Sequence, residues 1–92
     1  MNYLHQEFDA GPDDLIEVAL DGQANVMLLD PENFERYRRH EPFQYYGGHA
    51  TVTPTRLVPP RRGRWHLAVD LGGRAGTVRA GVRLVRSAGA AG

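Results

Sequence analysis

Apolar side chains recur at every second position over most of this chain, the period of half-buried β-strands. In a predicted strand over residues 3–8, Leu4, Gln6 and Phe8 share one face. Over Leu15–Leu20, Ile16, Val18 and Leu20 face one way and Glu17 the other. Ala24–Leu29 is apolar on both sides, as expected of a strand covered from two directions. The clearest alternation follows Gly63, with Trp65, Leu67, Val69 and Leu71 inward and His66, Ala68 and Asp70 outward. A closing strand over residues 77–85 puts Val78, Ala80, Val82 and Leu84 inward and Arg79, Gly81 and Arg83 outward. Two weaker segments lie between. Residues 43–46 read as a short aromatic strand broken by Gly47-Gly48, and residues 51–58 as a strand that Pro54 confines to an edge or a bulge.

Turn chemistry separates these runs. Residues 9–13 carry Gly11 and Pro12, Asp21-Gly22 is a two-residue hairpin signal, and Gly72-Gly73 reads as a further hairpin turn. Pro59-Pro60-Arg61-Arg62-Gly63 is a rigid connection. One helical piece is expected, from Pro31 to Tyr37. Asp30 can cap its free amides, Pro31 fits the first position and Glu32 suits the dipole, while Phe34 and Tyr37 can dock on the body. About seven short strands with Gly/Pro turns predict an all-β fold, a compact antiparallel β-sandwich. We expect one domain over residues 1–86 and a disordered tail of small residues at 87–92.

Composition narrows the functional classes. The chain has 92 residues, 41% of them apolar, enough for a single modest core. It has no cysteine, so disulfides and thiolate metal sites are excluded. No apolar run approaches the roughly 20 residues of a membrane-spanning helix, and the first residues lack a signal-peptide pattern, so a cytoplasmic location is expected. Charge sums to zero but is uneven. Residues 1–55 hold ten acids against three arginines, and residues 56–92 hold eight arginines against Asp70 alone. Two sheets of opposite charge within one molecule, copies assembling through opposite halves, or an anion or nucleic acid on the basic half would each account for this.

Candidate chemistry is sparse. His5, His40, His49 and His66 lack metal-site spacing, and four residues of strand put His66 and Asp70 about 13 Å apart. Neither metal nor cofactor is expected. The sole serine, Ser87, lies in the tail, and Asp13, Asp14 and Glu17 read as solvated acids near a turn. Gly72-Gly73-Arg74-Ala75-Gly76 lacks the lysine and the following helix of a phosphate loop. Tyr45 and Tyr46 beside Gly47-Gly48 form either a flat platform for a sugar, a base or a partner, or ordinary core cover. Arg61, Arg62, Arg64, Arg79 and Arg83 are the candidate anion-binding set. Trp65 reads as core.

Gly22-Gln23-Ala24-Asn25-Val26, Asn33-Phe34 with Tyr37, Tyr45-Tyr46-Gly47-Gly48, Pro54, Pro59, Gly63-Arg64-Trp65-His66 and Val69-Asp70-Leu71-Gly72-Gly73 together resemble the bacterial domain of unknown function 1883. The resemblance covers residues 1–86. It implies bacterial origin, a compact β-sandwich and an accessory or sensing module, found alone or beside a TIR-type domain. Such a domain would here be a separate bacterial protein. The resemblance supplies no catalytic residues. It singles out Asn25, Asn33, Tyr37, Tyr46, His66 and Asp70 as polar positions that either lock turns or build a ligand site. Three functions follow as expectations. The first is a non-enzymatic module that binds a partner protein or small ligand and self-associates. The second is an anion or nucleic-acid binder using the arginine-rich half. The third is an enzyme with a site around Tyr46, His66 and Asp70.

Overall fold

The computed structural model describes residues 3–73 and 76–86. Along them run β1 (Leu4–Ala10), β2 (Leu15–Leu20), β3 (Ala24–Leu29), α1 (Pro31–Arg38), β4 (Tyr46–Ala50), β5 (Thr55–Leu57), β6 (Gly63–Asp70) and β7 (Ala80–Val85). They build two antiparallel sheets, one ordered β1-β6-β3-β4 and the other β5-β2-β7. This is the predicted all-β sandwich. The tail at 87–92 and the Arg74-Ala75 part of the glycine-rich turn lie outside the described residues. Among the described residues no helix is long and apolar enough to cross a membrane.

Two apolar layers explain the sequence pattern. Between the sheets lie Phe8, Ile16, Val18, Val26, Leu28, Trp65, Leu67 and Val69. Outside the larger sheet, Met27, Leu29 and Ala68 meet Phe34 and Tyr37 of α1. β3 is apolar on both sides because the sandwich covers one face and the helix the other. His66 and Asp70 do lie on the outer face, as the alternation requires, but the helical layer buries them to 8% and 4% exposure.

α1 begins where expected. The Asp30 carboxylate accepts from the Asn33 amide at 2.8 Å, which satisfies one of the free N–H groups of the first turn. At its end His40 adopts a left-handed φ of 60°. The Glu41 amide then donates to the Arg36 carbonyl and the His40 amide to that of Tyr37, closing the helix with a Schellman pair.

Neither expected hairpin forms. β2 and β3 lie in different sheets, as do β6 and β7; of the described consecutive strands, β3 and β4 alone are neighbours, and α1 joins them. Asp21 instead anchors an arch between the sheets. Its amide donates to the Arg79 carbonyl and its carboxylate accepts from the Arg79 amide at 2.7 Å. Arching sets the apolar faces of β2 and β3 against each other, which a flat hairpin would leave side by side. Gly72 and Gly73 do turn tightly, with φ of 64° and 86°, yet the turn leads toward the other sheet.

Boundaries also shift. The aromatic run at 43–46 is extended coil until Tyr46, where β4 starts, and Gly47-Gly48 lies inside that strand. Gly47 has φ 111°, and a Cβ there would strike the Val26 carbonyl oxygen of the paired strand, so the glycine permits the pairing it was expected to break. The 51–58 strand contracts to β5 at the sheet edge, and the 77–85 strand to β7.

Charge is distributed differently from either segregated picture. β1 pairs with β6, and β2 with β5 and β7, so each sheet interleaves the acidic and basic halves. Of eight ion pairs among the described residues, seven join the two halves within one molecule; the Arg38–Glu35 pair stays within α1. Asp14, expected to be solvated, is instead 4% exposed. Its Oδ2 accepts from the Gly11 amide at 2.9 Å and lies 3.1 Å from Arg62 and 3.0 Å from Arg86.

The Gly11 hydrogen bond, with the arginine charges behind it, holds the Asp14 carboxyl below the usual aspartate range. A carboxyl depressed in the folded state stabilises above its unfolded value, and that stability is lost as pH falls through the folded value. Thermal unfolding followed by circular dichroism from neutral to acidic pH should therefore show a shallower acid decline in Asp14→Asn than in wild type. Parallel curves would remove Asp14 from the acid response.

Candidate functional site

Three groups of polar and aromatic side chains sit on or beside the larger sheet. The first is a chain of hydrogen bonds that is buried under the end of α1 at Tyr37 and Asp70 and runs out to the exposed His49. Register pairs Asn25 on β3 with Asp70 on β6 and with His49 on β4. Asp70 Oδ1 accepts from Asn25 Nδ2 and from the Gly72 amide, both at 2.9 Å, while Oδ2 accepts from the Tyr37 hydroxyl at 2.6 Å. His49 continues the chain at 3.3 Å from Asn25 Oδ1 and 3.2 Å from Gln23 Oε1. Burial, then the bond to Asp70, pushes the Tyr37 hydroxyl well above its ordinary pKa, so it remains a donor. Among the described residues no buried side-chain polar atom lacks a partner. A satisfied chain of this kind fixes the sheet, the helix and the Gly72 turn to one another.

The second group lines a groove of about 490 Å³ between the start of α1 and the start of β4, walled by Asp30, Asn33, Gln44, Tyr45, Tyr46 and Arg61. Local chemistry shapes it. Asn33 donates to Asp30 through its backbone and its side chain, while its Oδ1 accepts from the Gln44 amide at 2.8 Å, which ties the 43–46 coil to the helix. Tyr46 packs edge-on against the buried Trp65 at 5.9 Å, and the Arg61 guanidinium lies over the same indole at 4.8 Å. Trp65 Nε1 donates to the Arg61 carbonyl at 3.0 Å. Tyr45 and Tyr46 are nevertheless 47% and 48% exposed. Burial opposes ionisation of Asp30, but the Asn33 hydrogen bonds and Arg61 outweigh it and hold its carboxyl below the usual range.

The third group is at the free edge of the sheet. Glu7 on β1 is the register partner of His66 on β6, and His5 lies two residues along the same face. His5 Nε2 and His66 Nδ1 are 2.8 Å apart. Phe34 stacks on both imidazoles, at 4.2 Å and 4.3 Å between ring centroids. Burial lowers the His66 pKa, with Glu7 opposing and His5 and Arg64 assisting. Arg64 donates to Glu7 at 2.7 Å and lowers its pKa.

The sequence-derived residues thus divide. Asn25, Tyr37 and Asp70 join one another; Asn33, Tyr45 and Tyr46 line the groove; His66 pairs with His5. A site combining Tyr46, His66 and Asp70 is not assembled. Tyr46 pairs with Leu28 of the inner layer, whereas His66 and Asp70 lie on the outer face. In the anion-binding set, Arg61, Arg62, Arg64 and Arg83 pair with Asp30, Asp14, Glu7 and Glu17, Arg79 bonds Asp21 through its backbone, and Arg83 is on the other sheet from Arg64. Asp30, Gln44 and Arg61 as groove walls, and His5 with Glu7 as neighbours of His66, were not singled out together from the sequence. The period-two pattern puts His5 and Glu7 on one face, but only register brings them to His66.

Neither a curated protein nor a solved structure matches the chain significantly. A family model described as a domain of unknown function, DUF1883, matches residues 1–88 and so spans the strands, helix and side-chain groups described above. The chain belongs to the DUF1883 family.

Proposed function

We propose that this chain is a non-enzymatic binding or sensing module whose ligand site is the groove between α1 and β4, and that the ligand is a small sugar. The observation that carries the reading is the pairing of two half-exposed tyrosines with convergent hydrogen-bonding groups in one hollow of about 490 Å³. Ligand sites combine aromatic walls with a few placed polar groups. A sugar ring offers a C–H face for Tyr45 or Tyr46 and hydroxyls for Asp30, Gln44 and Arg61. Asp30, an anion at neutral pH, supplies the acceptor, and Arg61 the donor. The groove brings together no nucleophile, base and oriented partner of the kind covalent chemistry needs.

Trp65, in contact with Tyr46 and Arg61, is a built-in reporter for the groove. Titration of its fluorescence with a panel of mono- and disaccharides should give saturable binding for at least one of them. Tyr45→Ala, an exposed substitution, should weaken that binding about tenfold, equivalent to about 1.4 kcal/mol. No response across the panel, or equal binding by Tyr45→Ala, would sink the assignment.

A further inference from the structure

We propose that His5, Glu7 and His66 form a binding site for a divalent transition-metal ion of the zinc type. This site is separate from the groove and stands or falls independently of it. The three side chains come from two hydrogen-bonded strands, and one ligand atom from each lies within 4.8 Å of the others. The two imidazoles are nearly coplanar, at 11° with centroids 5.1 Å apart. With the nitrogens at 2.8 Å, they meet edge to edge, and the facing nitrogens point at each other across a narrow gap.

In the metal-free pair, one facing nitrogen carries a proton and the other accepts it. Neutral imidazole has one proton and two nitrogens, so both facing atoms become ligands if the donor ring shifts its proton to its far nitrogen. No net proton need leave. Tetrahedral zinc with Zn–N of about 2.0–2.1 Å requires the nitrogens to part to roughly 3.4 Å and the His5 ring to pivot so that both lone pairs turn towards the ion. His5 can supply this movement, because it is exposed on the edge strand.

The surroundings suit the same ion. Glu7 engages Arg64 through Oε2, which leaves its other oxygen for a cation and orients the carboxylate, as outer partners of metal ligands do. Phe34 stacks on both imidazoles and holds their common plane. Two imidazoles and one carboxylate form a ligand set that favours zinc and similar ions over calcium or magnesium, and a tetrahedral centre keeps one position for water or an incoming ligand.

Cobalt(II) serves as the spectroscopic probe and zinc as the competitor. The full chain should bind one equivalent of Co²⁺ with a visible d–d band that Zn²⁺ abolishes. Loss of an outer partner alone costs about 10–100-fold in metal affinity, so His5→Ala and Glu7→Gln should each weaken binding by at least about tenfold. His40→Ala and His49→Ala should bind as wild type. In wild type, Zn²⁺ should move the ring-nitrogen resonances of His5 and His66 and leave those of His40 and His49 in place, a readout that needs no variant. Absence of saturable binding, survival of binding in both His5→Ala and Glu7→Gln, or its loss in His49→Ala would each overturn the assignment.

Discussion

Trp65→Ala is expected to destabilise the fold by about 3–5 kcal/mol, the upper end of what truncating a single core side chain costs. The indole is 1% exposed in the inner layer, and its truncation removes apolar contacts on both sheets. It also removes the Nε1 bond to the Arg61 carbonyl and the surface on which Tyr46 and the Arg61 guanidinium rest. A domain of this size holds roughly 5–10 kcal/mol in all, so about 0–7 kcal/mol would remain and the variant should unfold at a clearly lower urea concentration. Urea unfolding followed by far-ultraviolet circular dichroism measures this, since the fluorophore is lost. Trp65→Phe separates the contributions: it keeps most of the volume and should cost clearly less. An unchanged urea midpoint in Trp65→Ala would show that the sandwich does not depend on the indole.

Asp70→Ala should cost roughly 2–5 kcal/mol, because it takes the acceptor from three donors at once and leaving a buried one unsatisfied costs about 1–3 kcal/mol. Those donors are the buried Tyr37 hydroxyl, the half-buried Asn25 side-chain amide and the Gly72 backbone amide. Tyr37→Phe should be milder, about 0.5–2 kcal/mol, since Asp70 keeps Asn25 and Gly72 as partners. Comparing the two by thermal unfolding tests the chain of bonds itself. Equal losses would mean that the Tyr37–Asp70 contact accounts for all of it; no loss in Asp70→Ala would mean that water replaces the carboxylate without penalty.

Local signals in the sequence located most elements. Alternation placed β2 and β6, a short run apolar on both sides placed β3, and the Asp30-Pro31 pair placed the start of α1, because these features depend on neighbours within a few residues. Strand partnership does not. Asp21-Gly22 carries the chemistry of a hairpin, yet whether its flanking strands pair or arch apart depends on which apolar faces must meet across the sandwich. Gly47 shows the same limit: it reads as a strand breaker until the Val26 carbonyl oxygen of the neighbouring strand is in place. The site followed the same division. Asn25, Tyr37 and Asp70 stood out as polar residues in motif positions, and they do meet. Convergence of His5 and Glu7 on His66 required the β1–β6 register, and the walls of the groove required the 43–46 coil to fold back onto Asn33.

The arching connectivity also has a kinetic consequence. β1 binds β6, with Leu4 opposite Val69, and β2 binds β7, with Leu15 opposite Val85. No described strand can therefore find its partner by zipping up from a tight turn. Closing such long loops before any contact rewards them slows the search, as in other β folds dominated by distant pairings. During synthesis β1, β2 and β3 emerge first, and neither sheet can be completed until β6 and β7 follow. Until then the apolar faces of the early strands stand open to pairing with other chains. The nascent chain should depend on holdase chaperones, and refolding yield should fall steeply with protein concentration.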